Sequence, residues 1–557
     1  MNRTAHERFW PRGLPRTLHF PRTSLWYNLE VAATRYPDKA AIVFYDTVIR
    51  YAQLRERVDR LAAFLQQRCG VRRGDRVALF SQNCPQYIVA YYAILRADAA
   101  VVPVNAMSTA GEFDYYLADS GASVGVVARD LFASARAAVD EGRLRHAVVL
   151  EYADALEAPT DMQVPNWVSA RSAPVEHPAV TAWADALGAG LAPAPHLAGP
   201  DDLCVLPYTS GTTGHPKGCI HTHYTMTCSL VGSAFWRGLS SESVALGVAP
   251  MFHLLGMQNG MNLPICLGGT VAMLPRWDPA AAATLIERYG VSVWTAPPAM
   301  LVDFFAQPDI GSRDLSSLAV LTGGGAAMPE SVATMLHDRF GLAYLEGYGM
   351  TETASFLHGN PPHRPKRQCL GMPTFEVDSR IVDPETLEEL PQGETGELIT
   401  SAPQVMLGYW NNPQANEQAF IERDGKRFLR TGDLACLDED GYFFMRDRLK
   451  RMINASGYKV WPAEVENLMY GHPDIHEVCV IGVRDARRGE TVKAFVVPKP
   501  PARGTLTAEA IETWCRTMMS AYKVPRIVEF IDALPKSATG KVSWRELQER
   551  EAAGKES

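Results

Sequence analysis

At 557 residues the chain is longer than one hydrophobic core sustains, so two or more domains are expected. Its 47% hydrophobic and 21% charged residues give the composition of a globular enzyme, and a net charge of −8 excludes nucleic-acid binding driven by bulk charge. Ten cysteines lie scattered from Cys69 to Cys515 with no Cys-x-x-Cys and no His/Cys cluster at zinc spacing, which points to reduced structural thiols in a cytoplasmic protein.

The start is basic (Arg3, Arg8, Arg12, Arg16, Arg22) but broken by Pro11, Pro15 and Pro21, which reads as a solvated arm rather than a targeting segment. No apolar run reaches the length needed to span a bilayer. Leu54, Val58, Leu61, Ala62 and Leu65 recur at helical spacing and predict a helix over 51–67. A strand over 76–80, a helix over 87–97 and a strand over 99–104 follow. The Pro- and Ala-rich stretch 158–200 reads as a surface excursion. Strand and helix then alternate again through 244–248, 270–274, 281–289, 291–295 and 318–322, the pattern of layered α/β subdomains with parallel strands. Short alternating runs with Gly, Asp and Pro turns over 371–442 predict a small β-rich subdomain. A basic cluster (Arg446, Arg448, Lys450, Arg451) precedes a small α+β domain, with a helix opened by Pro462 and strands over 478–483 and 493–497. The expected division is therefore an N-terminal domain over 1–448 and a C-terminal domain over 449–557, with a frayed tail beyond 552.

Chemistry concentrates in four places. Tyr208-Thr-Ser-Gly-Thr-Thr-Gly-His-Pro-Lys-Gly218 packs three glycines, four Ser/Thr hydroxyls and one lysine into eleven positions. Inward-turned backbone N–H groups, hydroxyl donors and a cation suit a polyphosphate, although the same composition also makes a plain surface turn. It is not a Walker A loop, because Pro216 precedes Lys217 and Gly218 follows it. Glu346-Gly-Tyr-Gly-Met-Thr-Glu-Thr353 offers Glu352 as an oxygen ligand for Mg²⁺ and Thr351 as a phosphate donor. Arg430-Thr-Gly-Asp433 places an acid at a strand-end turn, suited to a ribose diol or to satisfying its own turn. Pro535-Lys-Ser-Ala-Thr-Gly-Lys541 sets a lysine among small residues.

Together, in this order and spacing, the four resemble the signatures of the adenylate-forming superfamily: acyl-CoA synthetases, luciferases and peptide-synthetase adenylation domains. The resemblance covers essentially the whole chain and is closest in texture to fatty-acid CoA ligases. It implies that Thr209, Ser210, Gly211, Thr212, Thr213, Gly214 and Lys217 hold the ATP phosphates, and that Gly324, Gly325 and Ala326 form the adenine-contacting turn. It implies that Tyr348 stacks on adenine beside Gly349, that Thr351 contacts the α-phosphate and that Glu352 binds Mg²⁺. Asp433 and Arg448 match the ribose pair, Lys450 the hinge, Lys541 the catalytic lysine of a mobile C-terminal domain, and His253 the histidine lining the acid pocket.

The activity implied is an ATP-dependent carboxylic acid–CoA ligase, with ATP, Mg²⁺ and CoA as reagents and a homodimer compatible with it. The segments 253–264, 297–301 and 323–327 contain no Lys, Arg, Asp or Glu, which points to an apolar monocarboxylic acid of medium or long chain, with Gly256, Gly260, Gly325 and Ala326 leaving room for its tail. Alternatives are an acyl-AMP ligase loading a carrier protein, an aryl- or branched-acid CoA ligase, and a non-catalytic acyl- or nucleotide-binding relative. The last should have lost Lys217, Glu352 or Lys541, and all three are present.

Overall fold

The computed structural model describes residues 5–209, 216–324, 328–455, 458–485, 489–536 and 542–553. They divide into two compact units: one of Glu7–Asp378 with Ser401–Leu429, the other of Met1–His6, Ser379–Thr400 and Arg430–Ser557.

The larger unit is built on two sheets. A seven-stranded sheet runs in the order 221–222, 203–205, 100–104, 76–80, 124–128, 146–150, 180–182 and is parallel except at the 221–222 edge. A nine-stranded sheet has a parallel centre (270–273, 244–247, 293–295, 320–323, 344–348) and antiparallel hairpins at both margins. Its strands and those of its neighbour are short unbroken apolar runs, as expected for parallel strands covered on both faces. The helix Tyr51–Gln67 buries Leu54, Val58, Leu61 and Leu65 completely, and Gln53 Oε1 accepts from Arg50 N at 2.8 Å to cap its start. Each such aliphatic side chain taken from water contributes about 1.5–3 kcal/mol.

Two expectations change. The stretch 158–200 is not purely a surface excursion: Val180–Ala182 joins the seven-stranded sheet in parallel with 146–150, and Val168, Trp183 and Ala186 are buried. The basic arm is anchored rather than solvated, because Trp10 is buried edge-on against Trp236 at 5.0 Å and Phe375 at 5.3 Å. Aromatic burial outweighs the charge pattern there.

In the smaller unit, strands Ile475–Asp485 and Gly489–Pro498 form a long antiparallel hairpin, with Ile527–Phe530 added in parallel and the 453–460 hairpin at the other side. Val465, Met469, Ile511 and Cys515 pack on one cluster with Val480 and Val496, while Leu547 packs on another with Ile481 and Phe495. The alternation along each strand thus feeds two separate cores, which is the α+β pattern read from the sequence. All ten cysteines are free; nine are buried and Cys266 is partly so. Burial pushes the thiols of Cys69, Cys84, Cys228 and Cys479 up to about 12 and those of Cys266 and Cys515 to about 11.

Candidate active site

The glycine-rich segment is held by its two legs. Tyr208–Thr209 pairs antiparallel with Lys217–Gly218, in register Thr209 to Lys217. The second leg is zipped to 407–410: Ile220 N donates to Gly408 O at 2.9 Å, Leu407 N to Ile220 O at 3.0 Å and Trp410 N to Gly218 O at 2.8 Å. Tyr115 Oη donates to Pro216 O at 2.7 Å, and Tyr208 Oη to Asp119 at 2.6 Å. Ser210, Gly211, Thr212, Thr213 and Gly214 lie outside the described residues, as do Gly325, Ala326 and Lys541.

The second signature follows strand Tyr344–Tyr348, which is parallel to Val320–Gly323. Its turn is tight: a Cβ on Gly349 would fall 1.2 Å from Ser355 O, and Ala354 and Ser355 adopt φ of 51° and 88°. Left-handed backbone at two residues with side chains costs on the order of 1–3 kcal/mol each. The surrounding bonds hold it: Ser229 Oγ donates to Ala354 O at 2.7 Å and Gln258 Nε2 to the same carbonyl at 3.3 Å. Within this turn Thr351 and Glu352 sit on a short 3₁₀ segment, Thr351–Thr353. Glu352 is only 6% exposed; Oε1 accepts from Tyr409 Oη at 2.9 Å and its carbonyl accepts from Met406 N at 2.8 Å.

Tyr409 therefore touches both predicted phosphate elements. Its hydroxyl serves Glu352, and its ring lies 4.7 Å from Lys217 Nζ. Burial and the Glu352 carboxylate both raise the phenol well above its usual range, so it stays a donor. Thr351 is fixed from another side, its carbonyl accepting from His221 Nε2 at 2.7 Å. A carbonyl only accepts, so Nε2 carries the proton, and burial pushes this imidazole down to about 4, leaving it neutral. Neither Tyr409 nor His221 was singled out from sequence; the Gly408-Tyr-Trp410 pair in a polar stretch is the one signal that favoured the first.

Tyr348 is half-buried with its ring 5.5 Å from that of His358, and Gly324 lets strand 344–348 approach, since a Cβ there would meet Gly347 O at 2.5 Å. His253 precedes the short helix Leu254–Met257, its ring 4.6 Å from that of Phe252. Gly256 does not leave room for a tail as expected: a Cβ there would lie 2.3 Å from Pro250 O, whereas one on Gly260 would make an ordinary contact, 3.4 Å from Gly247 Cα. The missing side chain of Gly256 is used by the backbone itself. Helix His223–Arg237 ends against the same region, with Arg237 Nη1 donating to Asn259 Oδ1 at 2.8 Å. This cation lies outside the three uncharged segments read as pocket wall.

In the smaller unit, Asp433 and Arg448 are directly paired across two antiparallel strands, Arg448 Nε standing 3.0 Å from Asp433 Oδ1. Asp433 is 1% exposed at its side chain while Arg448 is 54% exposed, so the acid is fixed and the guanidinium presented. Behind them Arg430 Nη2 meets the Glu397 carboxylate at 2.6 Å, and Gly432 N donates to the same group at 3.2 Å. Lys450 lies in the 3₁₀ turn Leu449–Arg451.

Residues 29–410 match the AMP-binding enzyme family, and 464–541 match the C-terminal domain of AMP-binding enzymes. The chain belongs to the AMP-binding enzyme family. It is 34% identical over 551 residues to a long-chain-fatty-acid–CoA ligase of Bacillus subtilis, covering 97% of both chains. It is 39% identical over 519 residues to a feruloyl-CoA synthase of an Amycolatopsis species, covering 92% of this chain and 96% of the relative. ATP-bound MatB from Rhodopseudomonas palustris shares the fold at TM-score 0.83 and 27% identity, over 95% of this chain and 99% of that one.

Proposed function

We propose that the protein is an AMP-forming acyl-CoA synthetase that activates an acid with a largely apolar tail, fatty or aryl, and passes the acyl group to CoA. The observation that carries this reading is Tyr409, which ties Lys217 and Glu352 into one cluster. The similarity to a long-chain-fatty-acid–CoA ligase and a feruloyl-CoA synthase supports the acid class and the thiol acceptor.

A carboxylate resists nucleophiles because it is negative and its oxide does not leave. In the first half-reaction a carboxylate oxygen attacks the α-phosphorus of ATP, the bond from that phosphorus to the α,β-bridging oxygen breaks, and pyrophosphate leaves with the bridging oxygen. In the second the CoA sulfur attacks the acyl carbon, the acyl–oxygen bond breaks, AMP departs and the thiol proton is released. Thr209, Ser210, Gly211, Thr212, Thr213, Gly214 and Lys217 hold the phosphates, and Gly324, Gly325, Ala326, Tyr348 and Gly349 the adenine. Thr351 donates to the α-phosphate, Asp433 and Arg448 hold the ribose, and His253 lines the acid site. Oriented donors of this kind contribute about 10²–10³ in rate each.

A single enclosed carboxylate, Glu352, fits Mg²⁺, which takes one or two carboxylates and completes its shell with phosphate and water. When bound, the ion neutralises phosphate charge. Ten free cysteines support residence in a reducing compartment such as the cytoplasm.

Lys541 neutralises the attacking oxygen, and the segment beyond Lys450 turns about that residue between half-reactions so that the thiol can approach. Acid-dependent pyrophosphate exchange across fatty and aryl acids tests the first step, and free CoA against carrier protein tests the acceptor. Lys541→Ala should abolish acyl-AMP formation yet spare thioester formation from supplied acyl-AMP; equal loss of both would sink the rotation.

A further inference from the structure

Arg237 is the last residue of helix His223–Arg237, where a cation suits the helix dipole. Its side chain is partly buried and turns onto protein. Nη1 donates to Asn259 Oδ1 at 2.8 Å and to Thr295 Oγ1 at 3.3 Å, and the guanidinium carbon lies 5.2 Å from the Phe356 ring centre. All three neighbours are neutral. Other enclosed arginines have carboxylates: Arg96 meets Asp59, Arg451 meets Glu466 and Arg430 meets Glu397. Among the described residues no carboxylate forms an ion pair with Arg237. Burial pushes its guanidinium down to about 10, the mark of a cation whose charge is poorly compensated. An aromatic face offsets only part of that cost.

The polar neighbours aim the group. Asn259 Nδ2 donates to Leu255 O at 2.9 Å and lies 3.4 Å from Ser355 Oγ, so its oxygen must face Arg237. The Thr295 hydroxyl is paired with that of Thr322 at 3.0 Å. Both hydrogens of Nη1 are thereby engaged, while Nε and Nη2 have no protein acceptor among the described residues. That edge of the fork is the one that grips a carboxylate through two parallel bonds.

Two features of the location recur at ligand sites. Asn259 belongs to a five-residue π-helix, Gln258–Asn262, a distortion that concentrates at functional sites. Thr295 and Thr322 close parallel strands 293–295 and 320–323 at their carboxyl ends, where sheets of this kind receive ligands. Thr225, whose hydroxyl contacts the His221 ring that holds Thr351, lies twelve residues earlier on the same helix, a rise of about 18 Å. Arg237 thus stands at the opposite end of this helix from the residue that contacts His221, and through Asn259 it borders Ser355 rather than Thr351 itself.

We propose that Arg237 is a specificity-determining residue for acids that carry a second carboxylate on the tail, separated from the reacting carboxyl by an apolar spacer. This rests on the acyl-CoA synthetase reading and adds a cation to a wall whose other segments are uncharged.

The test is a matched series. AMP release with Mg-ATP and CoA is measured for straight-chain acids of graded length, each beside its ω-hydroxy and ω-carboxy partners. The enzymes are the native protein, Arg237→Met and Arg237→Lys. At the best length the native enzyme should favour the ω-carboxy acid over the plain acid at least tenfold in kcat/KM, with the ω-hydroxy acid between. Arg237→Met should lower that ratio tenfold or more, and Arg237→Lys should restore part of it. Should Arg237→Met not fold, the ratio in Arg237→Lys decides: a fall supports the assignment and an unchanged ratio overturns it. Acids turned over with the same ratio in every variant, or ω-carboxy acids refused at all lengths, overturn the role of Arg237 and leave the ligase intact. Absence of AMP release with every acid would overturn the ligase reading itself.

Discussion

The Tyr409 hydroxyl donates to the Glu352 carboxylate at 2.9 Å although the two residues are 57 positions apart in the chain. A hydrogen bond to a charged group is worth about 1.5–3 kcal/mol, and its loss here leaves an enclosed carboxylate short of a donor. Tyr409→Phe should raise the KM for Mg-ATP about tenfold, since ~1.4 kcal/mol corresponds to a factor of ten. Titrating Mg²⁺ at fixed acid in the exchange assay should shift to higher concentration by a similar factor. An unmoved Mg²⁺ curve would show that Tyr409 does not support Glu352 in the Mg²⁺-binding role proposed for it.

His221 gives a pH signature. Its folded value of about 4 lies below the ordinary 6.5, because burial disfavours the charged ring. The unfolded chain therefore binds a proton that the folded chain does not between those two values. Stability is full above about pH 6.5 and is lost as pH falls towards 4, by on the order of 3 kcal/mol for this group. His223, pushed down to about 3 by burial, adds a second contribution in the same direction. His221→Gln keeps a donor for the Thr351 carbonyl without titrating, so it should flatten the acid limb in urea melts by one proton while retaining most activity. His221→Ala should lose both the bond and at least tenfold in acyl-AMP formation, the equivalent of about 1–3 kcal/mol for an orphaned buried carbonyl.

Arg430 is predicted to be structural rather than nucleotide-binding. Glu397 is 2% exposed at its side chain and takes its charge partner from Arg430. Arg430→Met strands that carboxylate and should destabilise the smaller unit by about 3–5 kcal/mol. Replacing both, Arg430→Met with Glu397→Leu, should recover most of the loss in thermal melts. A single mutant with unchanged melting would mean that water satisfies Glu397.

Gly349 allows no side chain, because a Cβ would overlap Ser355 O. Gly349→Ala should displace the turn that carries Thr351 and Glu352 and reduce pyrophosphate exchange by a hundredfold or more. That loss, about 2.7 kcal/mol of barrier, is the size expected from misplacing one oriented group. Wild-type exchange with a reduced melting point would separate turn stability from catalysis.

Most of the framework was legible because periodicity reports burial directly. The helix over 51–67 and the strand over 76–80 match Tyr51–Gln67 and Arg76–Phe80, since each alternates or repeats apolar residues without competing signals. Strand Val180–Ala182 was hidden because three residues carry no usable period. The motif carboxylates and hydroxyls can be picked out as candidates from type and order; the side chains that contact them cannot. Tyr409, His221 and Arg237 act through residues far away in sequence, and no local pattern distinguishes a tyrosine that braces Glu352 from one that fills a core. Gly256 near His253 shows the converse error: sequence reads small size as space, whereas the fold spends it on backbone contact.

The enclosure of the cysteines has a practical bearing on the chemistry of the second half-reaction. Thiols pushed to about 11 or 12 are almost wholly protonated near neutral pH and react slowly with aromatic disulfides. Ellman's reagent added to aliquots withdrawn from the native reaction should therefore titrate the CoA that remains and leave the polypeptide unmodified, so that the fall in yellow colour from one aliquot to the next counts thioester bonds formed.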